Sequence, residues 1–216
     1  MALETLVVKG RAAKTGYRRA QFGAGWVDVD HNSCSTREDI LRRDLRAITV
    51  RAHTGGCLVA SGLLADPYTG RDLAFLRGPT TSDAIQIDHL VSLSDAWQKG
   101  AQQWSSVQRV AFANDPLELL ATDGGTNAAK SGSDAASWLP PYTAYRCAFV
   151  ARQVTVKASY GLSVTAAEKA AMARVLAGCP GQPTTSAQTA HQPRSPSVTV
   201  QEDRPVRTPS TPAFSR

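Results

Sequence analysis

Apolar residues recur at three- and four-residue steps in four stretches of the chain and alternate with polar ones in another, and these periods predict its elements. Ile40, Leu41, Leu45 and Ile48 follow Ser35 and Glu38, whose spacing matches a capping box, so a helix is predicted from about 36 to 47. CLVASG (57–62) and DLAF (72–75) flank DPYTG, a proline and glycine turn, and predict a β-hairpin. In AIQIDHLVSL (84–93), Ile85, Ile87 and His89 alternate with polar neighbours as in a strand, which gives way to a helix near 93–104. Further helices are predicted over 142–158, carrying Ala148, Val150, Ala151, Val154 and Val156, and over 165–177, where Thr165 caps and Glu168 completes the box. No internal repeat interrupts this order. The class is α+β.

The pattern stops after Cys179. Residues 180–216 hold 18 Pro, Ser and Thr among 37 and almost no large apolar side chains, so they are predicted to be a disordered tail. That leaves one domain over 1–179. No apolar run approaches the roughly 20 residues that a spanning helix needs, so no membrane span is expected. MALETLVVKG has neither a basic n-region nor a long apolar core, so no signal peptide is read. Four cysteines, at 34, 57, 147 and 179, include no CxxC pair, which disfavours structural zinc. Their even number suits two disulfides, Cys34 to Cys57 and Cys147 to Cys179, with four buried thiols as the alternative. Disulfides imply secretion, which fits if the N-terminus is truncated or misassigned; a true start at Met1 implies the cytoplasm.

Charge adds a hint about partners. The net charge is +6, with 18 Arg against 6 Lys, and arginine's planar fork matches phosphate. GC-rich coding would enrich Arg as well. Residues 9–27 carry Lys9, Arg11, Lys14, Arg18 and Arg19 with no acid, interleaved with Tyr17, Phe22 and Trp26; they suit a phosphate-binding surface or a solvated arm.

The chemistry concentrates in two segments. Asp88 and His89 fall at a strand end, where a carboxylate for a hard cation and an imidazole that takes a proton from water can serve one site. A buried structural histidine is the plainer alternative. In NDPLELLATDGGTNAAK (114–130), Asp123, Gly124 and Gly125 form a tight turn, and Asn127 opens a short helix that brings Lys130 one turn later beside a potential phosphate. An ordinary asparagine helix cap is the alternative there.

Together these segments resemble the HNH (His-Me finger) nucleases, and most closely the actinobacterial HNH family allied to the DUF1524 group. The likeness runs through VKGRAAKTGYRRAQFG, WVDVDHNSCSTREDILRRDL, GCLVASGLLADPYTG, QIDHLVSLSDAWQKGAQQW, ANDPLELLATDGGTNAAKSGSDAASWLPP and YRCAFVARQVTVKASYGLSVTAAE, which cover most of residues 7–179. It implies a ββα-metal core at about 84–135 with additional helices around it. It also implies one divalent ion, Mg²⁺ or Mn²⁺, held by Asp88 and Asn127, with His89 as general base. Glu118 stands where the family usually has the asparagine that pins the loop carrying the base, and an ionised Glu can accept from an N–H but cannot donate to a carbonyl; Asn114 is a candidate substitute. Arg37 and Lys130 are candidate phosphate contacts, and Asp134 a support for Asn127. Asp28, Asp30, His31 and Asn32 suit loop capping better than a second metal site, and Trp97, Trp104 and Trp138 suit the core. The expected activity is metal-dependent cleavage of DNA, or of RNA, with little sequence preference, because no base-reading module is visible. The rivals are a non-catalytic nucleic-acid-binding relative and a disulfide-stapled secreted binding protein; no protein partner is implied.

Overall fold

A computed structural model describes residues 2–179, 181 and 198–201. Helix α1 (Ala2–Thr5) and a 3-10 turn at Arg19–Phe22 precede α2 (Thr36–Asp44), which runs without a loop into β1 (Leu45–Arg51). The hairpin β2 (Val59–Ala65) and β3 (Asp72–Leu76) follows, then β4 (Ile85–His89), α3 (Leu93–Gln98), α4 (Ser106–Ala113), β5 (Leu119–Asp123) and α5 (Gly124–Lys130). Helices α6 (Arg146–Ser159) and α7 (Ala166–Ala177) and a strand β6 (Val198–Gln201) complete the order. The α+β class predicted from the pattern is the class observed.

Two sheets result. One has the order β3-β2-β1-β6, antiparallel except for the parallel β1–β6 pair; the other is the antiparallel pair β4–β5, with Ile87 opposite Ala121 and His89 opposite Leu119. Of the tail expected to be disordered, Val198–Gln201 instead forms the edge strand β6, and the rest, apart from Gly181, lies outside the described residues.

The predicted helix over 36–47 stops at Asp44, and Leu45 and Ile48 belong to β1. The β-branched run Ile48-Thr49-Val50 extends a strand whose Leu45, Arg46, Thr49 and Val50 pair with β2, and it overrides the helical spacing. Ser35 makes no side-chain cap. Glu38 instead accepts from Arg77 at 2.6 and 2.7 Å and from the Val59 N–H at 2.9 Å, which ties α2 to the sheet. The capping box predicted at Thr165 and Glu168 is formed.

The β4–β5 pair lies between two apolar clusters. Ile85, Ile87, Leu119 and Ala121 pack with Ile40, Leu41, Ile48 and Phe75. Leu90 and Leu120 pack with Phe149, Val150 and Val154 of α6. Trp97 is buried in a third cluster, on which Trp104 packs partly buried against Phe112 and Tyr160, and Trp138 packs on the α6 cluster, so these three indoles serve the core as expected. Disulfides join Cys34 to Cys57 and Cys147 to Cys179. Among the described residues, no helix is long and apolar enough to cross a membrane.

Candidate active site

The end of β4 and the start of α5 face one cleft of about 590 Å³. Its wall includes Asp88, His89, Gln86 and Asn127, together with Arg37 of α2 and Lys14, Tyr17, Arg19 and Trp26 of the N-terminal arm. The basic arm therefore contributes to the cleft, although Arg11 turns away to pair with Asp95 and Asp134.

Asp123 caps α5, its side chain accepting from the Thr126 N–H at 2.7 Å. Asn127 thus sits inside the helix, not at its cap, and its side chain is free for other use. Its Nδ2 donates to Gln86 Oε1 at 2.9 Å, and its Oδ1 has no partner among the described residues. Gly124 is required at this turn because a Cβ there would lie 2.1 Å from the Asp83 carbonyl oxygen.

His89 is 6% exposed and stacks on Trp26, with ring centroids 5.6 Å apart and planes 10° apart. Burial, and then the nearby positive charge of Arg19, hold its pKa down to about 3, so the imidazole is neutral. Its Nε2 lies 3.0 Å from the Ala113 carbonyl oxygen. A carbonyl can only accept, so Nε2 carries the proton and Nδ1 keeps a free lone pair.

Asp88 is held from two sides. Tyr68, fully buried, donates its hydroxyl to Oδ2 at 2.5 Å, and Lys130 donates to Oδ1 at 2.9 Å. Lys130 is therefore not the exposed phosphate contact expected: it is 1% exposed, and its ammonium also donates to the His89 carbonyl at 2.7 Å. The DPYTG turn does more than reverse the chain, since Asp66 anchors it to Thr122 of β5 at 2.8 Å and it carries Tyr68 to Asp88.

Glu118 is fully buried, and burial raises its carboxyl well above the usual range. It accepts from the Val91 N–H at 3.0 and 3.2 Å. Gln153 of α6 donates to the Leu90 carbonyl at 2.7 Å. Asn114 does not stand in for the family asparagine: it accepts from the Val27 N–H at 3.1 Å and donates to the Val110 carbonyl at 3.0 Å, fixing the turn behind Trp26. Asp134 does not support Asn127 either, because its carboxylate is taken up by Lys99 at 2.9 Å and Arg11 at 2.7 Å, in a buried network that also includes Asp95, Lys157 and Glu168. Asp28, Asp30 and Asn32 bond among themselves and to nearby N–H groups, as loop caps do.

Arg37 is lowered by burial, and its Nη1 is buried without a partner. Among the described residues there is no cluster of three or more His, Cys, Asp or Glu that could hold a metal. A hard divalent ion would meet two protein oxygen donors here, the unengaged Oδ1 of Asn127 and the remaining lone pairs of Asp88. That donor set suits a cation that keeps several waters or phosphate oxygens in its shell.

Tyr68 and Gln153 are absent from the sequence expectations, and Trp26 enters them only as part of the basic arm, not as the ring under His89. A bulky ring inside a turn motif signalled Tyr68, and a polar residue on the apolar face formed by Phe149, Val150 and Val154 signalled Gln153.

Comparison with known proteins places residues 35–175 in a match to the family described as GmrSD restriction endonucleases, C-terminal domain. A protein of Arthroderma benhamiae described as an uncharacterized secreted protein is 37% identical over 179 residues, covering 82% of each chain. No solved structure matches the chain.

Proposed function

Because the chain belongs to the family of GmrSD restriction endonuclease C-terminal domains, we propose that it is a metal-dependent endonuclease hydrolysing phosphodiester bonds of DNA with little sequence preference. The observation that carries this reading is His89, a neutral imidazole whose Nε2 proton is committed to Ala113, beside a carboxylate and an amide oxygen in an arginine-lined cleft. The order of β4, β5 and α5, with Asp88 and His89 at one strand end and Asn127 on the helix, supports the reading drawn from the resemblance to HNH nucleases.

His89 Nδ1 accepts the proton of the attacking water, and Ala113 and Trp26 fix the ring for that transfer. Arg37 offers its unpartnered Nη1, and Arg19 its charge, to the phosphate oxygens on which negative charge builds. The phosphate in turn offsets the Arg19 charge that depresses His89 and strengthens the base when substrate is bound. Asp88 and Asn127 would hold Mg²⁺ or Mn²⁺, which when bound supplies Lewis acidity at the phosphate. The two disulfides and the secreted relative support an extracellular location.

One contact favours a second reading. The Lys130 ammonium already balances Asp88 at Oδ1, as it would in a relative that binds nucleic acid without cutting it.

Plasmid nicking with Mg²⁺ or Mn²⁺, with and without EDTA, separates the two. EDTA-sensitive nicking that His89→Ala lowers by about 10²- to 10⁴-fold, with DNA affinity kept, is the expected result. A gel shift without cleavage would establish the second reading, and near-wild-type nicking by folded His89→Ala would remove His89 as the base.

A further inference from the structure

The peptide group joining Leu90 to Val91 is gripped on both edges. Its carbonyl oxygen accepts from Gln153 Nε2 at 2.7 Å, and its N–H donates to the Glu118 carboxyl at 3.0 Å. The flanking groups are held as well: the Leu90 N–H donates to the Glu118 carbonyl at 2.9 Å, and the His89 carbonyl accepts from Lys130 at 2.7 Å. Both carboxyl oxygens of Glu118 face the N–H edge of that peptide, at 3.0 and 3.2 Å from the Val91 nitrogen, and the donor to its carbonyl edge is a different residue. That donor comes from α6, outside the β4–β5–α5 unit. Gln153 is 2% exposed, and its Oε1 is buried with no partner. An amide left half-unsatisfied in an apolar face is kept there at a cost to stability.

We propose that Gln153 is a positioning residue for His89: with Glu118 it fixes the peptide after the base and so supplies the hold that a single asparagine would otherwise provide. Gln153 does not line the cleft, so its effect falls on the orientation of His89 and not on substrate affinity. This role rests on the nuclease reading for its kinetic consequence, but the hold on the peptide can be measured without any activity.

The test compares wild type with Gln153→Met, which keeps the length and removes the donor, and with Glu118→Gln, which keeps an acceptor for the Val91 N–H. Amide hydrogen exchange at Leu90 and Val91 should quicken at least tenfold in Gln153→Met and stay near wild type in Glu118→Gln. On plasmid DNA, kcat should fall about 10- to 100-fold in Gln153→Met with KM unchanged, as expected for a base displaced by a fraction of an ångström to an ångström. Should Gln153→Met fail to fold, Gln153→Asn, which withdraws the amide by one methylene, carries the same comparison. Unaltered exchange at Leu90 and Val91, or a kcat within twofold of wild type, overturns the proposal. So does an equal loss of protection along all of α6 with KM rising in step, which would mark general loosening. A wild-type protein that cuts nothing overturns the nuclease reading instead, and the exchange comparison still decides the hold.

Discussion

At the scale of residues, two buried groups next to each other bind protons in opposite senses. His89 is held down from 6.5 to about 3, and Glu118 is raised well above 4.5. Below pH 6.5 the unfolded chain protonates the histidine while the native chain does not, so this group makes stability rise with pH, by up to about 1.4 kcal/mol per pH unit, and its contribution is lost as pH drops towards 3. Glu118 acts in the opposite sense: above pH 4.5 the unfolded chain gives up a proton that the native chain tends to keep, so its contribution is lost as pH climbs through its raised pKa. Between pH 5 and 6 with EDTA present, urea midpoints should rise with pH more steeply in Glu118→Gln than in wild type, and less steeply in His89→Gln; parallel behaviour of all three proteins would disprove the opposed pair. Asp88, His89 and Asn127, which line one cleft, could be picked out as candidates because each stands in a short recognisable segment, QIDH and TDGGTN. Tyr68 and Gln153 were not, because what they touch lies 20 and 63 positions away, and no local pattern encodes which buried polar group meets which.

At the scale of elements, legibility followed the reach of the cause. The α7 capping box closes within four residues and formed as expected, whereas Glu38 abandoned its own cap for Arg77, 39 positions on. Ser105 and Gln108 form an equally local box at the head of α4, a signal present in the sequence but not used. The 45–48 segment went to a strand because β2 was available to pair with it, information that a helical period cannot carry. Both disulfides staple an element at its end: Cys34 just before α2 to the loop before β2, and Cys147 at the head of α6 to a residue two positions past the end of α7. Intact protein should weigh four hydrogens less than its reduced form. Reduction should lower the melting temperature, each bridge contributing roughly 2 to 4 kcal/mol through loops of this length. Four free thiols after oxidative expression would contradict the structure.

At the scale of the whole molecule, the strand pair bearing the site is clamped between α2 with the larger sheet on one side and α6 on the other. Composition and period predicted the mixture of helices and strands but not this layering, because which apolar stripe meets which is settled only when the chain closes. Lys99 and Lys157 meet Asp95, Asp134 and Glu168 in a buried network whose charges, with Arg11, balance. It ties the N-terminal arm, α3, α6 and α7 into one frame. The Cys147–Cys179 bridge sits at the head of the same helix that presents Gln153 six residues later. On the proposed nuclease reading, a bridge that forms only under oxidation would leave the helix that presents Gln153 less firmly fastened in a reducing compartment than outside it. The reduced chain should accordingly nick plasmid at least tenfold more slowly than the oxidised one at equal metal, and regain its rate on reoxidation. Equal rates in both redox states would mean that the bridge has no bearing on the site.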